Sequence, residues 1–238
     1  MPWWDFSGKT ARITGEWDTD GDSERRELTS NANDGIISSA AILQGLLSAG
    51  ATGAEALVGV LALTVVGSLT AAGAQYGEAV AERNSQLAIL ESESQRLLNS
   101  PEEELEELVE IYQAKGLSPE LSRAVATELH ERDALAAQLD AEFDMEHPAE
   151  KIWPLRFALK AGLAFLAGSV GPLLLFLIMP FAIRGEVTLV VVAISLTISG
   201  WIGARSEHGK AWASIARTVA IGLVTLGISS LAGSLVTF

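Results

Sequence analysis

Five apolar stretches, near 33–53, 55–80, 153–180, 187–204 and 212–237, are long enough to cross a hydrocarbon core, which takes roughly 20 residues of helix. Inside such a core each backbone N–H and C=O must be satisfied within its own segment or a closed barrel, so runs of this length commit the chain to helices. Hydrophobic residues are 49% of the 238, and they are gathered into those stretches rather than spread. Concentration of that kind marks membrane spans rather than an ordinary core.

The first two stretches are joined by "SAGATGAE", a Gly-rich turn that predicts a helical hairpin. The third holds Pro154 at its start and Pro172 in its outer half, where neighbours can satisfy a freed carbonyl. Small residues recur in "AAGAQYG", "GLAFLAGSVG", "GWIGA" and "GISSLAGS". They allow close helix approach and predict a compact bundle or a dimer. Arg25, Arg26, Arg83, Lys151, Arg156, Lys160, Arg205, Lys210 and Arg217 all fall on one side of this topology, with little beyond Arg184 opposite. The basic side is the cytosol, which places the N-terminus inside and the C-terminus outside a multi-pass cytoplasmic-membrane protein. Lys160, in the first turns of the third span, reads as a snorkelling side chain rather than a carboxylate's partner.

Several function classes drop out. Without cysteine there is no disulfide, thiolate metal site or cysteine nucleophile. A net charge of −14 argues against a nucleic-acid partner and for cations. No E-x-x-H surrounds His130, His147 or His208, and no P-loop, dinucleotide fingerprint or G-x-S-x-G elbow occurs. His130 reads as an exposed helix residue, and with no nucleophile and base to pair, the chain reads as no enzyme. Residues 1–30 lack the basic and apolar regions of a secretory signal and read as a loosely ordered cytosolic segment, with Trp3, Trp4 and Phe6 suited to the bilayer interface.

Residues 82–150, between spans two and three, are rich in Glu and helix formers. They predict three soluble helices. The first covers about 82–98; Ser100 and Pro101 open the second, which stops at Gly116; Ser118 and Pro119 open the third, which runs to about Phe143. The expected organisation is therefore an all-α membrane protein with five transmembrane helices: helices one and two in 31–81, an acidic three-helix cytosolic domain in 82–150, and helices three to five in 151–238. Leu105, Leu108, Val109 and Tyr112 form an apolar stripe on the second soluble helix, while Glu103, Glu106, Glu107 and Glu110 share another face. Such carboxylates repel one another unless neutralised, and their oxygens suit hard or borderline divalent cations. A solvated acidic face is the plainer alternative.

The spans carry carboxylates too, Asp34 in the first and Glu78 near the end of the second. An ionisable group within a membrane costs several kcal/mol unless paired or wet, which makes it a functional candidate. Two plainer readings stand beside this: Asp34 as a helix N-cap in "NANDG", and Glu78 on a helix that continues into the cytosol.

The order of these features resembles the vacuolar iron transporter family, through "ANDGIISSAAILQG", "SPEEELEELVEIYQAKGLSPELSRAVATEL" and "PLRFALKAGLAFLAGSVGPLL", over nearly everything from residue 24 onward. The resemblance implies a homodimer of five-span subunits that moves ferrous iron and manganese out of the cytosol against protons, with no tightly bound cofactor. It implies that Asp34 is the span-one aspartate, and that Glu78 matches the span-two glutamate of "G-E-Y", here "GEA". Glu103, Glu104, Glu106 and Glu107 include the acidic pair of the second cytosolic helix, with Glu91 and Glu142 the matches in the first and third. The family's "S-M-A-x-G-E-Y" is "TAAGAQYGEA" here, which puts Ala74 or Gln75 where a pore methionine stands, and no methionine accompanies Glu142 on the third helix. Loss of soft thioether ligands weakens the preference for ferrous iron over manganese or another hard cation. Two other classes compete: a membrane-anchored metal-buffering protein without a transport cycle, and a structural protein whose acidic helices bind a protein partner.

Overall fold

The computed structural model describes residues 20–145, 147–178, 184–204 and 211–236, whose regular structure is entirely helical. Seven helices follow in order: α1 (Asp20–Ser48), α2 (Gly53–Asn99), α3 (Pro101–Ala114), α4 (Pro119–Phe143), α5 (Trp153–Ile178), α6 (Arg184–Ala204) and α7 (Ala211–Ser234). They divide between two compact units, the described parts of Met1–Ala71 with Lys160–Phe238, and Ala72–Leu159. Trp3, Trp4, Phe6, Arg205 and Lys210 lie outside the described residues.

Among the described residues three helices are long and apolar enough to cross a membrane, Gly53–Asn99, Trp153–Ile178 and Ile215–Ser234, and Thr188–Ile202 is apolar but shorter. The expected first span differs in a specific way. α1 starts at Asp20 in a charged stretch that the sequence reading left loosely ordered, and it ends at Ser48, just before Gly50 turns the chain at φ +89°. Its apolar part is thus shorter than the 33–53 run, whose last residues belong to the turn. α2 then opens on a capping box: Thr52 N and Oγ1 donate to Glu55 Oε2 at 2.7 and 2.8 Å, and Glu55 N donates back to Thr52 Oγ1 at 3.4 Å.

α1 is the packing centre of the first unit. Ile36, Ala40 and Ala41 meet Val192, Leu196 and Leu226 of α6 and α7, while Leu43 meets Ala56, Val60 and Phe176 of α2 and α5. The closest approaches are backbone to backbone. A Cβ on Gly35 would sit 2.1 Å from the Phe165 carbonyl oxygen, and one on Gly168 would sit 2.0 Å from that of Ala32. At the other end of α1, a Cβ on Gly233 would sit 2.0 Å from the Gly45 carbonyl oxygen. Hydroxyls fill the seams: Ser229 Oγ donates to Ala41 O at 2.6 Å, Ser169 Oγ lies 3.3 Å from Gly35 O, and Ser48 and Ser230 share a 2.9 Å bond. Outward, Val58, Val65, Leu163, Leu174, Val224 and Ile228 are exposed, an apolar surface suited to lipid. Lys160 is paired with Glu24 rather than simply snorkelling, because α1 extends far enough toward its N-terminus to carry that carboxylate.

The second unit contains the distal part of α2 with α3 and α4. The separate helix expected over 82–98 is the end of α2, since no Gly or Pro falls between Gly77 and Asn99 to stop it. Ser100 is the N-cap of α3 through its backbone carbonyl, which accepts from Glu103 N and Glu104 N at 3.1 Å, and Gly116 ends the helix at φ +101°. Ser118 caps α4 with its side chain, accepting from Leu121 N at 3.3 Å. α4 is broken at Asp133, where the backbone is extended at φ −161° and Oδ1 accepts from Ala136 N at 3.0 Å, so this residue caps a second helical segment. Leu108 and Val109 are buried against Ala126, Ala137 and Ala141, with Leu105 and Tyr112 beside them, as the apolar stripe requires.

Gly168→Leu is expected to destabilise the full-length protein in detergent by about 1–3 kcal/mol through overpacking against α1, read as a lower unfolding temperature. Gly73→Ala, where an added Cβ meets nothing within 4 Å, leaves that temperature unchanged or raised.

Candidate metal site

Three helical segments of the second unit bring polar side chains to one place by their periodicity. Glu93 and Arg96 are three apart at the end of α2, Glu104 and Glu107 three apart at the start of α3, and Gln138 and Glu142 four apart on α4. Each pair therefore lies on one helix face. The tight connection through Ser100 and Pro101 brings the α2 pair to the α3 pair. Arg96 joins them: Nη1 lies 3.2 Å from Glu93 Oε1, Nε 2.9 Å from Glu104 Oε1 and Nη2 2.6 Å from Glu107 Oε2. Gln138 Nε2 donates to Glu104 twice, to its backbone carbonyl at 2.7 Å and to Oε2 at 3.0 Å.

Glu93 and Glu104 are 2% and 3% exposed, so their charges depend on these partners. The satisfaction is incomplete. Glu93 Oε2 and Gln138 Oε1 are buried acceptors without a hydrogen-bond donor. Burial pushes the Glu93 carboxyl above its ordinary range, Glu104 and Glu107 add to this, and Arg96 opposes it. Burial also raises the exposed-side Glu142 carboxyl, with the Glu107 and Glu93 charges next in effect. The cluster is therefore short of positive charge.

Outside it, Glu102, Glu103, Glu106, Glu107 and Glu110 line an open acidic depression of about 450 Å³ on α3. Glu106 pairs with Arg123 at 2.6 Å, and the hydrogen bond from that guanidinium holds its carboxyl below the ordinary range. Among the described residues no group of three or more Asp, Glu or His is arranged to hold a metal ion as it stands.

The expected site residues separate into groups. Glu104 and Glu107 pair with Arg96, Glu142 is coupled to the same groups electrostatically, and Glu103 and Glu106 line the open depression with Glu107. Glu91 is exposed and accepts from Gln95 Nε2 at 2.7 Å; Glu93, two residues on, is the buried acid of that turn. Asp34 lies well inside α1, which begins at Asp20, so it is no N-cap; it is exposed while Gly35 and Ile36 are buried. Glu78 is exposed within unbroken α2, in the second unit, as the reading of a continuing helix anticipates. Ala74 is exposed and Gln75 half-buried, with a carbonyl oxygen lacking a donor. His130 is likewise half-buried rather than exposed, with Nδ1 unpartnered.

Sequence reasoning missed Glu93, Arg96 and Gln138. The available signal was the lone Arg among the acids of "ESESQRLLNSPEEELEEL", at three residues from Glu93.

An all-helical chain with lipid-suited helices and an acidic helical insertion is a membrane protein. Its residues 25–234 match the model of the VIT family, and the chain belongs to that family. It is 30% identical over 216 residues to a protein of Acanthamoeba castellanii named vacuolar iron transporter, covering 84% of this chain and 78% of that one. It is 28% identical over 201 residues to vacuolar iron transporter 2 of Oryza sativa subsp. japonica, covering 83% and 81%. With vacuolar iron transporter 1 of Arabidopsis thaliana it shares 26% identity over 203 residues, 84% of this chain and 80% of that one. These names are those of transporters, not of enzymes.

Gln138→Leu strips two hydrogen bonds from buried Glu104 and is expected to cost about 1–3 kcal/mol, seen as a lower unfolding temperature of the full-length protein. Glu106→Gln, at an exposed pair, is expected to leave that temperature unchanged.

Proposed function

We propose that this chain exports divalent metal, ferrous iron and manganese, from the cytosol across the cytoplasmic membrane in exchange for protons, as a homodimer. The observation that carries the reading is the VIT-family match across residues 25–234, which takes in the apolar helices and the acidic insertion together. The names of the relatives support iron as a cargo.

In this reading the acidic helices collect ions from the cytosol, using oxygen ligands that suit hard and borderline cations. Asp34 and Glu78 bind the ion on its way through the membrane. A proton and a metal compete for the same carboxylate, so protonation from the far side releases the ion and couples the two flows. Ala74 and Gln75 offer no thioether, which favours manganese relative to a methionine-bearing pore.

The buffering reading keeps the metal-binding helices and drops the transport cycle; the convergence of Glu93, Glu104 and Glu107 in one acidic cluster is what favours it. Flux separates the two. Proteoliposomes are expected to take up manganese and ferrous iron faster under an imposed proton gradient, and Asp34→Asn to reduce that flux by at least about tenfold, the loss of about 1.4 kcal/mol of stabilisation. Wild-type rates in Asp34→Asn remove Asp34 from the ion path. Metal binding without flux in the wild type decides for buffering.

A further inference from the structure

Arg96 stands where the carboxylates of Glu93, Glu104 and Glu107 converge, each taken by a different guanidinium nitrogen at 3.2, 2.9 and 2.6 Å. An ion bound by those same oxygens needs that place. We propose that Arg96 is a resident counter-cation that competes with a hard divalent metal ion for this cluster, so that metal loads only as the guanidinium swings out toward solvent. This rests on the metal-collecting reading of the acidic helices and adds to it a residue that sets the threshold for loading.

Four observations support the exchange. The first is charge: one guanidinium against three carboxylates leaves a formal excess of two negative charges, with Glu142 electrostatically coupled to the same groups. A divalent ion in place of the monovalent arginine reduces that excess by one. The second is the pair of buried acceptors the guanidinium leaves unserved, Glu93 Oε2 and Gln138 Oε1, on residues 2% and 0% exposed. Arginine donates in a fixed planar fork, whereas a cation with a flexible oxygen shell can gather second carboxylate oxygens and an amide carbonyl.

The third is access. The Arg96 side chain is 42% exposed, against 2% for Glu93 and 4% for Glu104, so the cation has a path to water while the buried acids stay in place. Gln138 holds Glu104 independently of Arg96. The fourth is the ligand chemistry: every donor here is oxygen, which selects Mn²⁺, Mg²⁺, Ca²⁺ or Fe²⁺ over softer ions. With the arginine in, the domain stays paired and folded at low metal; with the metal in, the freed guanidinium faces solvent.

The test uses the full-length protein in detergent, with Mn²⁺ as the probe. By calorimetric titration Arg96→Met is expected to bind Mn²⁺ at least about tenfold more tightly than wild type, or about 1.4 kcal/mol, and Arg96→Met with Glu104→Gln to lose that gain. Wild-type binding with no gain in Arg96→Met overturns the role of Arg96 and leaves the metal reading standing; absence of Mn²⁺ binding to every protein overturns both. A second measurement needs no variant. Modification of Arg96 in the wild type by an arginine-selective dicarbonyl, read by peptide mass spectrometry against Arg132, is expected to rise by about threefold or more when Mn²⁺ is added, as an exposed guanidinium reacts faster. Unchanged or reduced modification at a Mn²⁺ concentration that saturates binding overturns the exchange.

Discussion

Within lipid there is no water to drive apolar helices together, since acyl chains are as apolar as leucine, and cohesion has to come from close contact and from hydrogen bonds. α1 meets that condition at Gly35 against Phe165, at Gly168 against Ala32 and at Gly233 against Gly45, where carbonyl oxygens occupy the space any side chain would need. The serines of α5 and α7 bond to α1 across the same seams. The placement of α5 and α7 against α1 follows from those approaches, and Asp34 is exposed on the side of α1 that Gly35 and Ile36 do not use.

The second unit faces an electrostatic problem instead. Its helices carry many acids, and acids crowded onto three converging faces repel. α3 divides them. Glu103 and Glu106 remain toward water, where repulsion is screened and Arg123 relieves part of it. Glu104 goes inward with Glu93, where the low-dielectric surroundings make a partner obligatory, and Arg96 supplies it. The interior acids thus depend on Arg96 and Gln138 as partners, while the outer ones rely mainly on water and, at Glu106, on Arg123. A single arginine thus holds carboxylates from two helices together.

Much of this architecture was legible. The Ser-Pro starts at 100 and 118, the stop at Gly116 and the stripe of Leu108 and Val109 are local chemistry, carried by side chains within a turn of the backbone they govern. Other features were misread because a local rule met a longer-range one. The 82–98 helix was separated from the second span on a change in composition, but a helix stops at a breaker or a cap and none occurs there. Asp133 was passed over inside a helical pattern although "DALAAQL" is a good helix start. Among the site residues, the acidic face of α3 was visible, while its division into inner and outer acids was not, and Glu91 was preferred to Glu93.

The sequence by itself determined that the chain is helical and membrane-bound and that a strongly acidic helical segment lies between its apolar runs. Those properties follow from run length, composition and charge, which neighbours cannot change. Only the tertiary structure decided which glutamate is buried, that Arg96 occupies the centre of the cluster, and that Asp34 sits inside α1 rather than at its start. Those depend on the angle at which one helix face meets another. A difference of two residues along a helix rotates a side chain through more than half a turn, from solvent to interior.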